Sequence, residues 1–282
     1  MACASGAGKR GDAAVPGGAA AKAGLFDAHV HTELAACAED ITAAAAFARF
    51  RELGVGFGFA EHADQLYFPR QGYFEKFEVE SGSLAAMRES SRAGHNRFGR
   101  YRELVAPFAA EGVPVGIEAE AAEDGPGLGV LEDDLAGWDY VIGAVHEFRG
   151  MGSRGRTEPM ADLERDFMQQ TEKLCRAGVS VYAHPFRIFG RRGREIPKHL
   201  YRPVAEMLAA HKVAAEINFH TNRPDPEFFA LCLELGVRLS IGSDSHAMWE
   251  VGGLEKHLAL LGELGAAGRL GEALWRPPCA KR

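Results

Sequence analysis

Seven short apolar runs recur along the chain, and most are followed by a stretch whose apolar positions return with helical spacing. The runs are "GLFDAHVH", "GVGFGFAEHAD", "GVPVGIEAE", "DYVIGAVHEF", "GVSVYAHPF", "VAAEINFHT" and "GVRLSIGSDSH". Five are entered through glycine, which closes a preceding helix in the left-handed conformation at little cost. The expected helices are "ITAAAAFARFRELG", a long one over "LAAMRESSRAGHNRFGRYRELVAPFAAEG", a short one near "GVLEDDLAGW", then "ADLERDFMQQTEKLCRAG", "LYRPVAEMLAAH", "PEFFALCLELG" and "LEKHLALLGELG". Strands alternating with helices need crossovers and therefore pair in parallel. The count predicts an α/β fold in a single domain, a closed or nearly closed (β/α) barrel of seven strands. An open doubly wound sheet is the rival, and no GxGxxG turn follows the first strand to support it.

The pattern begins near residue 24, so the chain divides into a disordered leader over 1–23, a barrel over 24–265 and a C-terminal tail over 266–282. The longer connections, 64–80, 148–160 and 187–198, follow strands, where a barrel carries its substrate contacts. Tyr67, Phe68, Tyr73, Phe74 and Phe77 in the first of them form either a lid or a small satellite core.

At 282 residues the chain can bury a substantial core. A formal net charge of -7 argues against a general affinity for nucleic acid or an anionic membrane surface. No apolar run approaches the roughly 20 residues of a membrane span. The leader has no continuous apolar segment of the secretory kind, which makes a cytoplasmic location the expectation. The five cysteines, Cys3, Cys37, Cys175, Cys232 and Cys279, are odd in number and lack CxxC spacing, which argues against a disulfide framework or a thiolate zinc cluster. The sequence sets no oligomeric state.

Candidate chemistry stands at the strand ends. In order they carry His29 and His31; Glu61 and His62; Glu118 and Glu120; His146 and Glu147; His184; Glu216 and His220; and Asp244 with His246. Alternation along the first strand points His29 and His31 to one face. Seven of the eleven histidines sit at such ends, while His95, His199, His211 and His257 lie in or beside helices. A barrel brings all seven ends to one mouth, where imidazoles and carboxylates suit zinc, manganese or iron. Taken singly, His146 or His184 also reads as a core histidine bonded to backbone. Taken together, the set implies more than one ion, with Glu118 able to bridge two. Ions a few ångströms apart make phosphoester hydrolysis the natural chemistry, through water acidified on the metal. No GxSxG, GxxxxGK[ST] or HExxH supports acyl transfer, nucleoside triphosphate binding or a zincin protease. After His184, "HPFRIFGRRGRE" brings Arg187, Arg191, Arg192 and Arg194 near the mouth. Arg187 is the first candidate for a bidentate phosphate grip, with Arg191 and Arg223 as further substrate contacts; a solvated basic loop is the alternative for Arg191 and Arg192.

These motifs, in order "HVH", "EH", "GIEAE", "GAVH", "AHP" and "SDSH", resemble the PHP (polymerase and histidinol phosphatase) superfamily from Leu25 to His246. The resemblance implies a distorted (β/α)7 barrel that binds up to three divalent metals and hydrolyses phosphate esters. It makes His29, His31, Glu118 and Asp244 ligands of one metal and His62, His146 and Glu118 ligands of a neighbour, with His184 and His246 helping to hold the remaining sites. Where several phosphatase members have a histidine six residues after HxH, this chain has Cys37. Either the thiol ligates, or Glu39 or Asp40 supplies the ligand, or that metal site is weakened. The expected function is hydrolysis of a small phosphomonoester such as histidinol phosphate, with two or three divalent ions as cofactors and a small phosphorylated substrate as partner. His184, His246 and Asp244 make up the expected catalytic set, with His246 or His184 protonating the leaving alcohol. The alternatives are a phosphodiesterase or exonuclease, and a metal-binding regulatory barrel without turnover.

Overall fold

The computed structural model describes residues 24–151 and 154–278. The leader expected over 1–23 lies outside the described residues, as do Cys3 and Cys279. The strands are β1 (Phe26–Val30), β2 (Gly56–His62), β3 (Val115–Glu120), β4 (Tyr140–Ala144), β5 (Val181–Tyr182), β6 (Ala214–Asn218) and β7 (Leu239–Gly242). Each pairs in parallel with the next, and β7 returns to β1 through Ile241 and Asp27. The barrel is therefore closed, as the alternation predicted, and the open sheet is excluded.

Two apolar layers hold it. The larger lies between the outer faces of the strands and the helices, with Phe57, Phe59, Ile117 and Ile217 facing Phe50, Tyr101, Leu208 and Phe228. The smaller fills the barrel interior, with Ala28, Ala60, Tyr140, Ile142, Ala144, Val181, Ala183 and Ala214. Small residues dominate it because Tyr140 takes the space, its hydroxyl donating to the Ala28 and Phe59 carbonyls at 2.7 and 3.0 Å. Gly116 on β3 leaves room for this ring, since a Cβ there would come within 2.9 Å of it. Above this floor the interior changes from apolar to ionisable.

On β1 the change requires a shift in parity. Phe26 and Ala28 belong with the interior cluster, yet His29 and His31 also face inward. The register against β2 slips between Asp27 and Val30, and Asp27 Oδ1 accepts from the His29 and Ser243 amides at 3.2 and 3.0 Å. A bulge of this kind re-aims side chains, and here it turns both imidazoles into the mouth.

The long helix expected over 84–112 is two helices, Leu84–Arg92 and Phe98–Ala110. Gly94 breaks it at φ 84°, and Asn96 Oδ1 accepts from the Phe98 amide at 2.9 Å to start the second piece. The connection 187–198 opens with a short helix, Arg187–Arg191. Of the loop aromatics, Tyr67, Phe68 and Tyr73 are buried in the main apolar core rather than in a satellite of it, with Phe77 packed against them, while Phe74 is exposed at the cavity rim. The segment read as a tail carries a helical turn, Leu270–Ala273; Trp275 then donates its amide to Leu239 and sets its indole against Tyr140. Among the described residues no helix is long and apolar enough to cross a membrane.

Gly242 marks the join of floor and mouth. A Cβ there would overlap the Glu216 carboxylate and approach His29 Cβ to 2.9 Å. Glu216 cannot swing aside, because it holds His29 Nδ1 and the His184 amide. Gly242→Ala is expected to lower stability by about 1–3 kcal/mol through overpacking, read as a fall in thermal midpoint.

Candidate metal centre

Glu118, at the end of β3, is the centre of the cluster. Its Oε1 lies 3.0 Å from His184 Nε2 and 3.2 Å from His146 Nε2. Its Oε2 lies 2.7 Å from His62 Nδ1, 3.4 Å from His29 Nε2 and 3.8 Å from His31 Nε2. Asp244 stands opposite, with Oδ1 at 3.0 Å from His31 Nε2 and 3.7 Å from His29 Nε2. Its Oδ2 takes Arg187 Nη1 at 2.7 Å and Asn218 Nδ2 at 3.1 Å. Both Asp244 and His184 adopt left-handed backbone, φ 54° and 29°, at strand ends that must turn sharply into the mouth. Such strain in non-glycine residues collects at functional sites.

An outer row of carboxylates fixes the imidazoles. His29 Nδ1 is 2.7 Å from Glu216 Oε1, His31 Nδ1 is 3.1 Å from Glu61 Oε1, and His146 Nδ1 is 3.0 Å from Glu120 Oε1. Each contact selects the tautomer that leaves Nε2 free toward the centre, as metal-binding histidines require. His246 reaches the same end with Nδ1 on its neighbour's Asp244 carbonyl at 2.7 Å, and its Nε2 stands 3.3 Å from His62 Nε2.

The donor set fits divalent ions. His29 Nε2, His146 Nε2 and Glu118 Oε2 are buried without a hydrogen-bond partner, although other site atoms stand close by. Buried polar atoms are rarely left so, and atoms aimed at a shared point rather than at one another are arranged as ligands. Ligand atoms lie within 4.8 Å of one another in the groups His29, His31, Asp244; His62, Glu118, His146; His31, His62, His246; and His220, His246, Glu250. The carboxylates of Glu61, Glu118, Glu120, Glu216 and Asp244 all converge here in buried positions, against the cations Arg187 and Arg149. Burial would raise the Glu118 carboxyl, but His146, His29 and His62 hold it well below the usual range. Burial likewise opposes ionisation of Asp244, and His29 and Arg187 overcome it. Against its own desolvation, His31 is raised to about 9 by Asp244 and Glu61, and His146 to about 10 by Glu118 and Glu120. The cluster thus demands positive charge, which a divalent ion supplies while releasing these protons.

The structure brings together His29, His31, His62, Glu118, His146, His184, Asp244 and His246. Arg187 and Arg191 line the same cavity, together with Cys37, His220, Tyr73 and Phe74. Arg192 and Arg154 instead pair with Glu147, which turns away from the centre, and Arg194 binds the Arg156 carbonyl. Arg223 lies in the adjoining cavity with Arg187, Arg191 and Phe219. The Cys37 thiol sits on the cavity wall 3.6 Å from the Gln65 Nε2 and is pushed up by burial. Glu39 and Asp40 are exposed, and Asp40 accepts from the Met248 amide. Asn218, Arg149, Gln65 and Glu250 also shape the site. The sequence offered no signal for the last three, because they stand in loops.

No family model matches the chain. A histidinol phosphate phosphatase from Lactococcus lactis, solved with zinc, L-histidinol and phosphate, aligns with TM-score 0.52 and 18% identity, over 86% of this chain and 94% of that one. The fold is that of the histidinol phosphatases. A candidate histidinol phosphatase of Listeria monocytogenes aligns with TM-score 0.54 and 12% identity, over 82% of this chain and 99% of its own. A probable phosphatase of Caldanaerobacter subterraneus subsp. tengcongensis is 26% identical over 170 residues, 57% of this chain. The match spans 61% of the length of that curated relative. The barrel implied by the ordered motifs is thus the fold these structures share, and in this chain the strand-end histidines gather at the C-terminal mouth.

Proposed function

We propose that the chain is a metal-dependent phosphomonoesterase acting on a small phosphorylated alcohol, with two or three divalent ions, zinc, manganese or iron, held at the barrel mouth. The observation that carries this reading is the position of Glu118, whose two oxygens face five imidazoles while Oε2 is buried without a hydrogen bond. His29, His31, Asp244 and Glu118 would hold one ion, and His62, His146 and Glu118 a neighbour, with His184 within reach of Glu118. Ions held there would acidify water, bind phosphate oxygens and stabilise the leaving oxygen.

The protein's own groups do the rest. Arg187 is buried beside Asp244, so its guanidinium is fixed in direction before substrate arrives. It offers its remaining donors to the phosphate, and Arg191 adds charge from the next turn. The proton for the departing alcohol is assigned to His184, or to His246 where its Nε2 holds no ion. Arg223, one cavity further out, is assigned to the rest of the substrate. The cavity at the mouth, about 140 Å³ and lined by these groups, is where a small phosphorylated substrate would sit. The described cysteines, Cys37, Cys175 and Cys232, are free, in keeping with a cytoplasmic setting.

Phosphate release from histidinol phosphate, nucleoside monophosphates and a chromogenic diester, under zinc, manganese or iron, tests the proposal. Release from a monoester is expected to stop on chelation and return when the ion is added back. Ion binding without release from any ester would overturn the enzymatic reading, and preference for the diester would overturn the monoester assignment.

A further inference from the structure

His220 and Glu250 repeat, outside the expected ligand set, the arrangement that defines the centre. His220 Nδ1 is 2.7 Å from Glu250 Oε1, as His29, His31 and His146 are backed by Glu216, Glu61 and Glu120. Glu250 is itself pinned, its Oε2 accepting the His246 and Ala247 amides at 2.8 and 3.1 Å. With Nδ1 engaged, Nε2 is the His220 nitrogen available to an ion. The imidazole lines the cavity of the metal cluster, its ring centroid 4.8 Å from that of His246. His246 Nε2 in turn stands 3.3 Å from His62 Nε2, and ligand atoms of His220, His246 and Glu250 lie mutually within 4.8 Å. Cys37, which lines the same cavity, joins no such group among the described residues, and its sulfur lies against the Gln65 amide.

We propose that His220 is a ligand of a further divalent ion at the outer edge of the cluster, held with His246, oriented by Glu250 and built without the Cys37 thiol. The inference rests on the reading of the mouth as a multinuclear metal centre. The site would take a borderline ion, zinc above all, through neutral imidazoles. Because the turn after β6 carries His220 and the turn after β7 carries His246 and Glu250, this ion would tie two neighbouring strand ends together. Glu250 is a positioning residue here, since it acts through the ring it holds.

The test is metal content, free of any substrate. Full-length protein is loaded with zinc, dialysed and analysed as wild type, His220→Ala, His220→Asn and Cys37→Ser; cobalt-loaded samples are read by absorption. His220→Ala and His220→Asn are expected to lose about one ion per chain and Cys37→Ser none, with no Cys37-dependent sulfur-to-cobalt charge-transfer band. Glu250→Gln is expected to weaken that ion alone, by about 10- to 100-fold. The partly exposed position of His220 favours folding of its variants, and the asparagine variant keeps a polar side chain there. Unchanged ion content in folded His220 variants, or a charge-transfer band abolished by Cys37→Ser, would overturn the assignment. Wild-type protein that binds no ion at all would overturn the multinuclear reading and this inference with it, an outcome distinct from either.

Discussion

Glu118→Gln is expected to cost the protein its ions and its turnover together. The substitution keeps volume and shape, so it isolates charge. Glu118 carries an oxygen toward each of five imidazoles from four strand ends, and its carboxyl is held ionised by them. An amide offers one neutral oxygen, and its NH2 would donate toward imidazole nitrogens that must remain free for coordination. Metal charge stabilisation is worth several kcal/mol, so phosphate release should fall on the order of 10²- to 10³-fold or more. Metal analysis should show loss of the ions on both sides of residue 118, since one carboxylate serves both. If the variant kept its full ion content, the bridging role would be wrong, whatever became of activity.

The parts of this centre legible in the sequence share one property: they sit at the C-terminal ends of strands. Alternation of strands and helices is a local signal, and closure of the barrel then carries His29, His62, Glu118, His146, His184 and Asp244 to one space without knowledge of any contact. The same logic flagged Glu61, Glu120 and Glu216 but could not separate ligand from outer carboxylate. That distinction depends on which face of each strand points inward, and the register slip in β1 changes it within two residues. Glu147 shows the limit from the other side. It stands next to His146, yet it turns outward to Arg154 and Arg192. The roles of loop residues were beyond reach for a different reason, because their positions are set by tertiary contacts. Glu250 is placed by the amides it accepts, and Cys37 by Gln65 from the loop after β2. The broken helix was missed because apolar spacing continues across Gly94, while the break depends on its left-handed φ and on Asn96, whose Oδ1 takes the Phe98 amide.

Asp244→Asn separates two jobs that one carboxylate performs. Its Oδ1 faces His31 and His29 as a ligand would, and its Oδ2 anchors Arg187. Its backbone is left-handed, which asparagine tolerates better than other side chains, so the turn into "SDSH" should survive. The ligand charge is lost, and release of phosphate is expected to fall on the order of 10²- to 10³-fold at saturating metal. Arg187 keeps a hydrogen-bond acceptor but no counter-charge, and breaking a buried pair by removing one partner costs about 3–5 kcal/mol, which the amide only partly offsets. The metal-free variant should therefore melt earlier than metal-free wild type. Asp244→Ala sharpens the argument: it removes the acceptor and also forces a Cβ into left-handed backbone without a side chain that can bond locally, which adds about 1–2 kcal/mol. The expected order of thermal midpoints in chelator is wild type, Asp244→Asn, Asp244→Ala, with both variants short of turnover. Full activity in Asp244→Asn would show that Asp244 serves only to hold Arg187, and would remove it from the ligand set.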